Sequence, residues 1–203
     1  MTKSDFSEKT IDPDPFEQFR KWYSEHLSSG AAAIPDSVSL ATAFMDGKIS
    51  VRTILLKDFN HDGFVFFTNY KSRKGIQLNS NPRAALLFYW PESARQVRIE
   101  GVTEKIPEED SVKYFHSRPR ESQLSASASA QSSVISDRQY LDNIYLAQKE
   151  KFADKTVDKP GDWGGYRLIP DWFEFWQEGE HRLHDRLTYT MKEDCWIIER
   201  LAP

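Results

Sequence analysis

The chain is poor in the features that mark several large classes of protein. It has one cysteine, Cys195, among 203 residues, so it can form neither an internal disulfide nor a metal site built from several cysteines. No apolar run approaches the roughly 20 residues of a membrane-spanning helix. With 27 Lys and Arg against 31 Asp and Glu, the net charge of −4 argues against a nucleic-acid-binding protein. We therefore expect neither a membrane nor a nucleic-acid partner.

Common nucleotide and catalytic signatures are missing too. There is no glycine-rich dinucleotide loop, P-loop, zinc-protease helix or nucleophile elbow. His116, His181 and His184 have no spacing partner that would complete a metal site, so we predict no metal. Residues 1–14 are polar and partly acidic, which fits neither a signal peptide nor a transit peptide. We therefore predict a cytoplasmic protein.

What is present favours one folded domain. Hydrophobic residues make up 39% of the chain and aromatic residues 13%, which is high for a disordered protein. At about 150 residues per domain, the length fits a single domain. We place that domain at 14–203, behind a flexible N-terminal arm at 1–13.

Hydrophobic periodicity predicts a mainly β fold with added helices, of the α+β class. Asp14 and Pro15 open an amphipathic helix over 15–28, and Asp46-Gly47 joins two strands as a hairpin. The strand runs at both ends of the chain most simply complete one barrel. Strands are predicted at 38–44, 49–56, 63–68, 84–90, 96–105, 163–169, 172–177, 187–191 and 196–200, and further helices at 72–78, 107–116 and 137–152.

Two cationic clusters lie in strand and turn settings. Arg52 and Lys57 flank an apolar strand, although ideal strand geometry puts them on opposite faces unless the strand bends. Arg73 and Lys74 follow Ser72 at a predicted helix start, where backbone amides and the helix dipole favour a phosphate. The alternative is a solvated basic helix start.

A third set combines two hydroxyls with a guanidinium. Tyr114, Arg118 and Ser122 share a face if one helix continues through them, although Pro119 interrupts it. Such a face suits a phosphate monoester. An exposed helix end without a ligand is the alternative.

The segment 176–186 is the densest in chemistry-bearing residues. Arg182, His184 and Arg186 alternate, so an extended chain would project them to one face, where like charges need an anion or a carboxylate. A structural salt-bridge cluster is the alternative. The residues alone therefore indicate binding of phosphorylated aromatic small molecules, with a redox cofactor as one option. Five aromatic residues could cover the flat ring of such a ligand, with a place in the core as the alternative. They are Phe66, Phe67, Trp90, Trp163 and Trp176.

Nearly the whole chain, 14–203, resembles the pyridoxine (pyridoxamine) 5′-phosphate oxidase family. The resemblance rests on several motifs that occur in the family's order. They are R-T-I-L-L-K at 52–57, F-T-N-Y-K-S-R-K at 67–74, R-Q-V-R-I-E-G at 95–101, Y-F-H-S-R-P-R at 114–120, Q-S-S at 131–133, F-W-Q-x-G-x-x-R-L-H-D-R at 175–186 and the terminal E-R-L-A-P.

The resemblance implies an FMN-binding split β-barrel that acts as a homodimer, with FMN held between the subunits. The opposite subunit would supply Gln96, together with either the Gln131–Ser132 pair or the Trp176–Arg186 pair. The full set of implied FMN contacts is Arg52, Thr53, Ile54, Leu55, Leu56, Lys57, Phe67, Thr68, Arg73, Lys74, Gln96, Gln131, Ser132, Trp176 and Arg186.

The resemblance also implies a reaction. Pyridoxine 5′-phosphate or pyridoxamine 5′-phosphate would be oxidised to pyridoxal 5′-phosphate in vitamin B6 salvage, with O₂ as acceptor giving H₂O₂. The catalytic pair would be Arg182, which clamps the pyridine ring, and His184, which bonds the ring hydroxyl or assists proton removal. The substrate phosphate would meet Lys57, Tyr114, Arg118 and Ser122.

Three positions depart from the family pattern. Phe67 stands where many members have Tyr, Leu-Ser-Ala-Ser at 124–127 replaces a stretch that usually carries Gly and Trp, and the short N-terminal arm does not align with the family's basic, Tyr-containing arm. Two alternatives to this function stay open. One is a split-barrel flavin reductase or oxidoreductase with another substrate, and the other is a non-catalytic carrier of FMN or pyridoxal phosphate.

Overall fold

The structure, a computed structural model, describes residues 6–203. Helix α1 (Pro15–Ser29) begins where the sequence predicts, because Oδ1 of Asp14 accepts the backbone N–H of Phe16 at 2.8 Å. It ends at Gly30, whose φ of 63° is the left-handed conformation that glycine adopts without strain. The helix buries Phe19 and Trp22 against the sheet.

One nine-stranded antiparallel sheet is the largest element of the molecule, which confirms the mainly β class with added helices. Its strands follow the order β2-β1-β5-β6-β7-β4-β3, with β8 paired to β7 and β9 to β8. The strands are β1 (Ser37–Ala43), β2 (Ile49–Leu55), β3 (Asp58–Asn60), β4 (Gly63–Asn69), β5 (Arg83–Trp90), β6 (Arg95–Lys105), β7 (Trp163–Gln177), β8 (Asp185–Lys192) and β9 (Cys195–Arg200). The other helices are α2 (Arg73–Ser80), α3 (Glu108–Ser117), α4 (Arg120–Ala128) and α5 (Arg138–Lys151).

Three elements differ from the sequence prediction. The short strand β3 was not predicted. The two strands predicted at 163–169 and 172–177 are one strand, β7, in which the pairing with β6 shifts between Glu100 and Gly101, opposite Pro170. Proline lacks the N–H that a regular ladder needs, so the strand continues through a local irregularity. Helix α4 was not predicted, and its buried face consists of Leu124 and Ala128.

The described part of the N-terminal segment is packed against the domain. We predicted a loose arm over 1–13, of which residues 1–5 lie outside the described residues. Phe6 and Ile11 are each only 7% exposed and belong to the main core, and the hydroxyl of Tyr189 donates to the carbonyl of Asp12. Two apolar side chains therefore hold this segment down.

A second, smaller core lies under helices α3 and α4. Phe115 and Leu124 from these helices pack with Phe152, Val157 and Trp163. This cluster fixes the helices over the end of the sheet that carries β4. Within residues 6–203, none of the helices is long and apolar enough to cross a membrane.

Candidate active site

A cavity of about 480 Å³ lies between the sheet and the break from α3 to α4. It brings together residues that are up to 111 positions apart in the sequence (52 to 163). Twelve of its fourteen lining residues are predicted site residues, and Pro119 and Trp163 complete the wall. The twelve are Arg52, Thr53, Ile54, Leu55, Lys57, Phe67, Thr68, Lys74, Tyr114, Arg118, Ser122 and Gln131.

Lys74 forms the cationic wall at the start of α2. Ser72 caps this helix by accepting the N–H of Gly75 at 3.3 Å, and Lys74 in the first turn lines the cavity. The ammonium of Lys74 donates to Thr68 at 3.1 Å and to Gln131 at 2.9 Å. Burial, with a smaller contribution from nearby Arg52, lowers the pKa of Lys74 to about 8. A bound anion would therefore stabilise the charged form of Lys74.

Arg52 stands beside Lys74 and is fixed from behind. Its guanidinium donates to the carbonyl of Leu40 at 3.0 Å and to the hydroxyl of Thr42 at 2.7 Å. Burial lowers the pKa of Arg52, and the charge of Arg73 lowers it further. Arg73 itself is exposed and does not line the cavity.

Lys57 lies just beyond the end of β2, so the chain has left regular strand geometry there. Lys57 and Arg52 therefore both line the cavity, and the predicted conflict of faces does not arise. The ammonium of Lys57 forms an ion pair with Asp36 at 2.5 Å.

The part of the lining at the break between α3 and α4 holds a guanidinium against aromatic rings. Arg118 lies over the ring of Trp163 at 4.8 Å, and the rings of Phe67 and Tyr114 stack at 3.8 Å between centroids. Nη2 of Arg118 donates to the carbonyl of Ser122 at 3.0 Å, while Nη1 of Arg118 is buried and has no hydrogen-bond partner among the described residues. Burial lowers the pKa of Arg118. A buried donor without a partner is costly, so this nitrogen marks a place for an acceptor.

The helix that carries Tyr114 is interrupted at Pro119, as the sequence indicates, so Tyr114, Arg118 and Ser122 do not share one helix. Helix α3 ends at Ser117, Arg118 is extended with φ −77° and ψ 152°, and α4 begins after Pro119. The reason is that a residue before proline avoids the helical conformation. The three side chains still meet, since all line the cavity from the two sides of this break.

A second group of predicted residues forms a row across three strands. Gln96 on β6 pairs with Trp176 on β7, which pairs with Arg186 on β8. None of the three lines the cavity. Gln131, by contrast, bonds Thr68 and Lys74 of its own chain, which favours the row rather than the Gln131–Ser132 pair as the part that an opposite subunit would supply.

The extended chain that would put Arg182, His184 and Arg186 on one face does not form. Arg182 lies in a 3₁₀ turn at φ 64°, and strand geometry begins only at Asp185, because the chain must reverse between β7 and β8. The ring of His184 lies 4.7 Å from that of Trp176, and its Nδ1 accepts the N–H of Gly179 at 3.2 Å. This contact leaves Nε2 as the ring nitrogen that can donate.

The remaining predicted residues divide between core and surface. The side chain of Leu56 packs in the main core and does not line the cavity. Ser132 is exposed at φ 73°. Among the aromatic residues, Phe66, Trp90 and Trp163 are buried, whereas Phe67 and Trp176 are half-buried.

Sequence reasoning missed the polar residues that hold the predicted ones. Gln77 accepts from Thr42 and Ser50 at 2.6 Å each, and these hydroxyls in turn accept from Arg52. Glu174, which bonds Arg186, was missed as well. A carboxylate within the apolar run F-E-F-W was the available signal, because a buried charge needs a partner.

Comparison with known proteins identifies the family. The model of the pyridoxamine 5′-phosphate oxidase family matches residues 31–143, and a model described as the pyridoxine 5′-phosphate oxidase C-terminal dimerisation region matches 163–203. The chain belongs to the pyridoxine/pyridoxamine 5′-phosphate oxidase family. It is therefore a member of a family of oxidoreductases, as the resemblance in its motifs implied.

The relatives cover all or nearly all of the chain. A pyridoxine/pyridoxamine 5′-phosphate oxidase of Nostoc sp. is 47% identical over 203 residues, 100% of this chain and 94% of the relative. The chloroplastic oxidase 1 of Arabidopsis thaliana is 49% identical over 97% of this chain, which spans 38% of that longer protein.

Solved structures agree on the fold. The structure of PhzG from Burkholderia lata, in complex with tetrahydrophenazine-1-carboxylic acid, superposes with a TM-score of 0.92 at 28% identity and full coverage of both chains. A pyridoxamine 5′-phosphate oxidase-related, FMN-binding protein from Nostoc punctiforme superposes with a TM-score of 0.77 at 16% identity, covering 95% of this chain and 100% of that one. The predicted split-barrel fold is thereby confirmed.

Proposed function

We propose that this protein oxidises pyridoxine 5′-phosphate and pyridoxamine 5′-phosphate to pyridoxal 5′-phosphate, with FMN as cofactor and O₂ as electron acceptor. The observation that carries the proposal is one cavity lined by two sets of cations, Lys74 and Arg52 from α2 and β2, and Arg118 from the break between α3 and α4. Two sets of cations suit two phosphorylated ligands. Relatives named as oxidases of these two substrates support the same assignment.

The cofactor phosphate fits the wall at the start of α2. Lys74 and Arg52 are partly buried cations whose pKa values are lowered by burial, and a phosphate would relieve that cost. Thr68 and Gln131 would bond the cofactor beside them. FMN is the named ligand of the Nostoc punctiforme neighbour, which supports this cofactor here.

The substrate phosphate fits the part of the lining around Arg118. The unpartnered Nη1 of Arg118 needs an acceptor, and phosphate oxygens would supply it. Tyr114 and Ser122 would add hydroxyl donors, and Lys57 would add a second cation. The substrate would therefore be recognised mainly through its phosphate.

The chemistry that a bound flavin supplies is acceptance of two electrons from C4′ of the substrate and their return to O₂. Pyridoxine 5′-phosphate and O₂ then give pyridoxal 5′-phosphate and H₂O₂. With pyridoxamine 5′-phosphate, one water is consumed and ammonia is released. The chain's own residues position the reacting carbon and exclude water around it.

Arg182 and His184 complete the site as the catalytic pair. Arg182 would lie over the pyridine ring and hold it in place. The Nε2 of His184 would bond the ring hydroxyl, because Nδ1 already accepts the N–H of Gly179. Both belong to the region described in the family model as a dimerisation region, so the opposite subunit of a homodimer would bring them to the cavity.

Turnover with defined products tests the proposal. The protein, loaded with FMN, is incubated in air with pyridoxine 5′-phosphate, and pyridoxal 5′-phosphate and H₂O₂ are measured. We expect both products in equal amounts. Flavin binding without any turnover would favour the carrier, and turnover only with a different electron partner would favour a flavin reductase.

A further inference from the structure

A buried carboxylate lies beside one of the predicted cofactor residues. Glu174 in β7 is 2% exposed. Its Oε1 accepts the Nε–H of Arg186 on β8 at 2.6 Å, and its Oε2 accepts from Nη1 of Arg98 on β6 at 2.8 Å. One carboxylate thus joins guanidinium groups from both neighbouring strands.

We propose that Glu174 is a positioning residue for flavin binding, because it holds the guanidinium of Arg186 in the orientation in which Arg186 meets the cofactor. The inference rests on the proposed function, since it needs Arg186 to contact FMN. The register supports it: Glu174 lies two residues before Trp176, whose partner across the ladder is Arg186.

The contacts of Arg186 show how its orientation is fixed. The carboxylate of Glu174 accepts the Nε–H of Arg186, and the carbonyl of Ala202 accepts from its Nη1 at 2.8 Å. Within residues 6–203, the structure gives no hydrogen-bond partner to Nη2, which leaves that nitrogen for a ligand. A planar guanidinium anchored at two nitrogens loses little further freedom when the third one binds.

Charge and stability account less well for the arrangement. Arg98 also pairs with Glu100 at 2.7 Å, so two carboxylates balance two arginines in this cluster. Buried ion pairs give little net stability because desolvation offsets their attraction. Orientation of Arg186 is the remaining consequence of placing Glu174 there, and Glu100 does not contribute to it.

Glu100 supplies a matched control, because it carries the same charge and bonds Arg98 but makes no contact with Arg186. The dissociation constant of FMN is measured by quenching of flavin fluorescence on apoprotein, for the wild type, Glu174→Gln and Glu100→Gln. We expect Glu174→Gln to raise this constant roughly 10-fold and Glu100→Gln to change it less than about 2-fold. In an Arg186→Gln background, Glu174→Gln should have no further effect.

The outcomes separate this inference from the proposed function. A wild type that binds no FMN would refute the proposed cofactor. Equal dissociation constants of FMN for the wild type and for Glu174→Gln would refute the positioning role. Equal weakening by both variants, or a further loss in the Arg186→Gln background, would also overturn it. If Glu174→Gln does not fold, Arg98→Gln/Glu174→Gln is compared with Arg98→Gln, and the same roughly 10-fold loss is expected.

Discussion

At the scale of single residues, the ammonium of Lys74 gives a measurable pH dependence. Its pKa of about 8 is lowered by burial and then by Arg52, and a bound phosphate would raise it again. The cofactor therefore binds best below pH 8, where Lys74 is charged in the apoprotein. As pH rises through 8, the apoprotein loses this proton and its affinity for FMN falls.

Titration of apoprotein with FMN on both sides of pH 8 checks this prediction. Lys74→Arg is the control, because its guanidinium stays charged over the whole range. The affinity of this variant should not fall in the same interval. A wild-type affinity that is constant through pH 8 would contradict the role of Lys74.

Arg118 should act on substrate binding. Loss of its charged hydrogen bonds to phosphate, at about 1.5–3 kcal/mol, predicts that Arg118→Ala raises KM roughly 10- to 100-fold with a smaller change in kcat. Steady-state kinetics with pyridoxine 5′-phosphate measures both constants. An equal loss in kcat and kcat/KM, with KM unchanged, would count against the predicted contact.

Arg182 should act on turnover instead. A ring that is no longer held against the flavin loses reactive alignment, so Arg182→Ala should lower kcat by about 100-fold at saturating substrate. Glu180→Gln is the control, because it lies in the same exposed turn without a predicted role. Near-wild-type turnover of Arg182→Ala would remove Arg182 from the catalytic pair.

At the scale of elements, helix α4 supports the wall that carries Ser122. Leu124 is 2% exposed in the second core, so Leu124→Ala should lower the free energy of unfolding by about 2–5 kcal/mol. Ser125→Ala is the control, because Ser125 is exposed on the same helix and its hydroxyl bonds only the carbonyl of Glu121. Denaturant unfolding compares the two. A similar small loss for both variants would show that α4 does not depend on this core.

How far the elements can be predicted depends on whether their signal is local. Helix α1 and the strand pair β1–β2 carry their own caps, turns and periodicity, and they begin and end within two residues of the prediction. Helix α4 has only Leu124 and Ala128 as a buried face, and that face exists because a second core forms around Trp163. The sequence cannot show such a non-local partner.

The site follows the same rule. The motifs identified twelve residues that the structure brings to one cavity, although these residues lie on several separate elements. Exact side-chain direction was less accessible. The turn that takes Arg182 out of line with Arg186 arises from the reversal between β7 and β8, and the supports Gln77 and Glu174 become visible only once strands are paired.

At the scale of the whole molecule, the predicted site is divided between a cavity and a separate row of strand residues. A homodimer that joins the cavity of one subunit to the row of the other predicts complementation. Lys74→Met damages the cavity, and Arg186→Gln damages the row. When the two variants are co-expressed, hybrid dimers contain one intact site, so about one quarter of the wild-type sites should be restored.

Flavin content and turnover of the mixed preparation measure this complementation. Each variant expressed alone is the control and should show little of either. Activity that stays at the level of the separate variants would mean that both parts of the site come from one chain.

The central claim is that the cavity holds a flavin which the substrate reduces and O₂ reoxidises. It is tested most directly by following the visible flavin band of the purified protein without O₂ while pyridoxine 5′-phosphate is added. The account predicts that the band bleaches at one substrate per flavin and returns when air is admitted. A flavin band that does not bleach, or a protein that takes up no flavin after reconstitution, would contradict it.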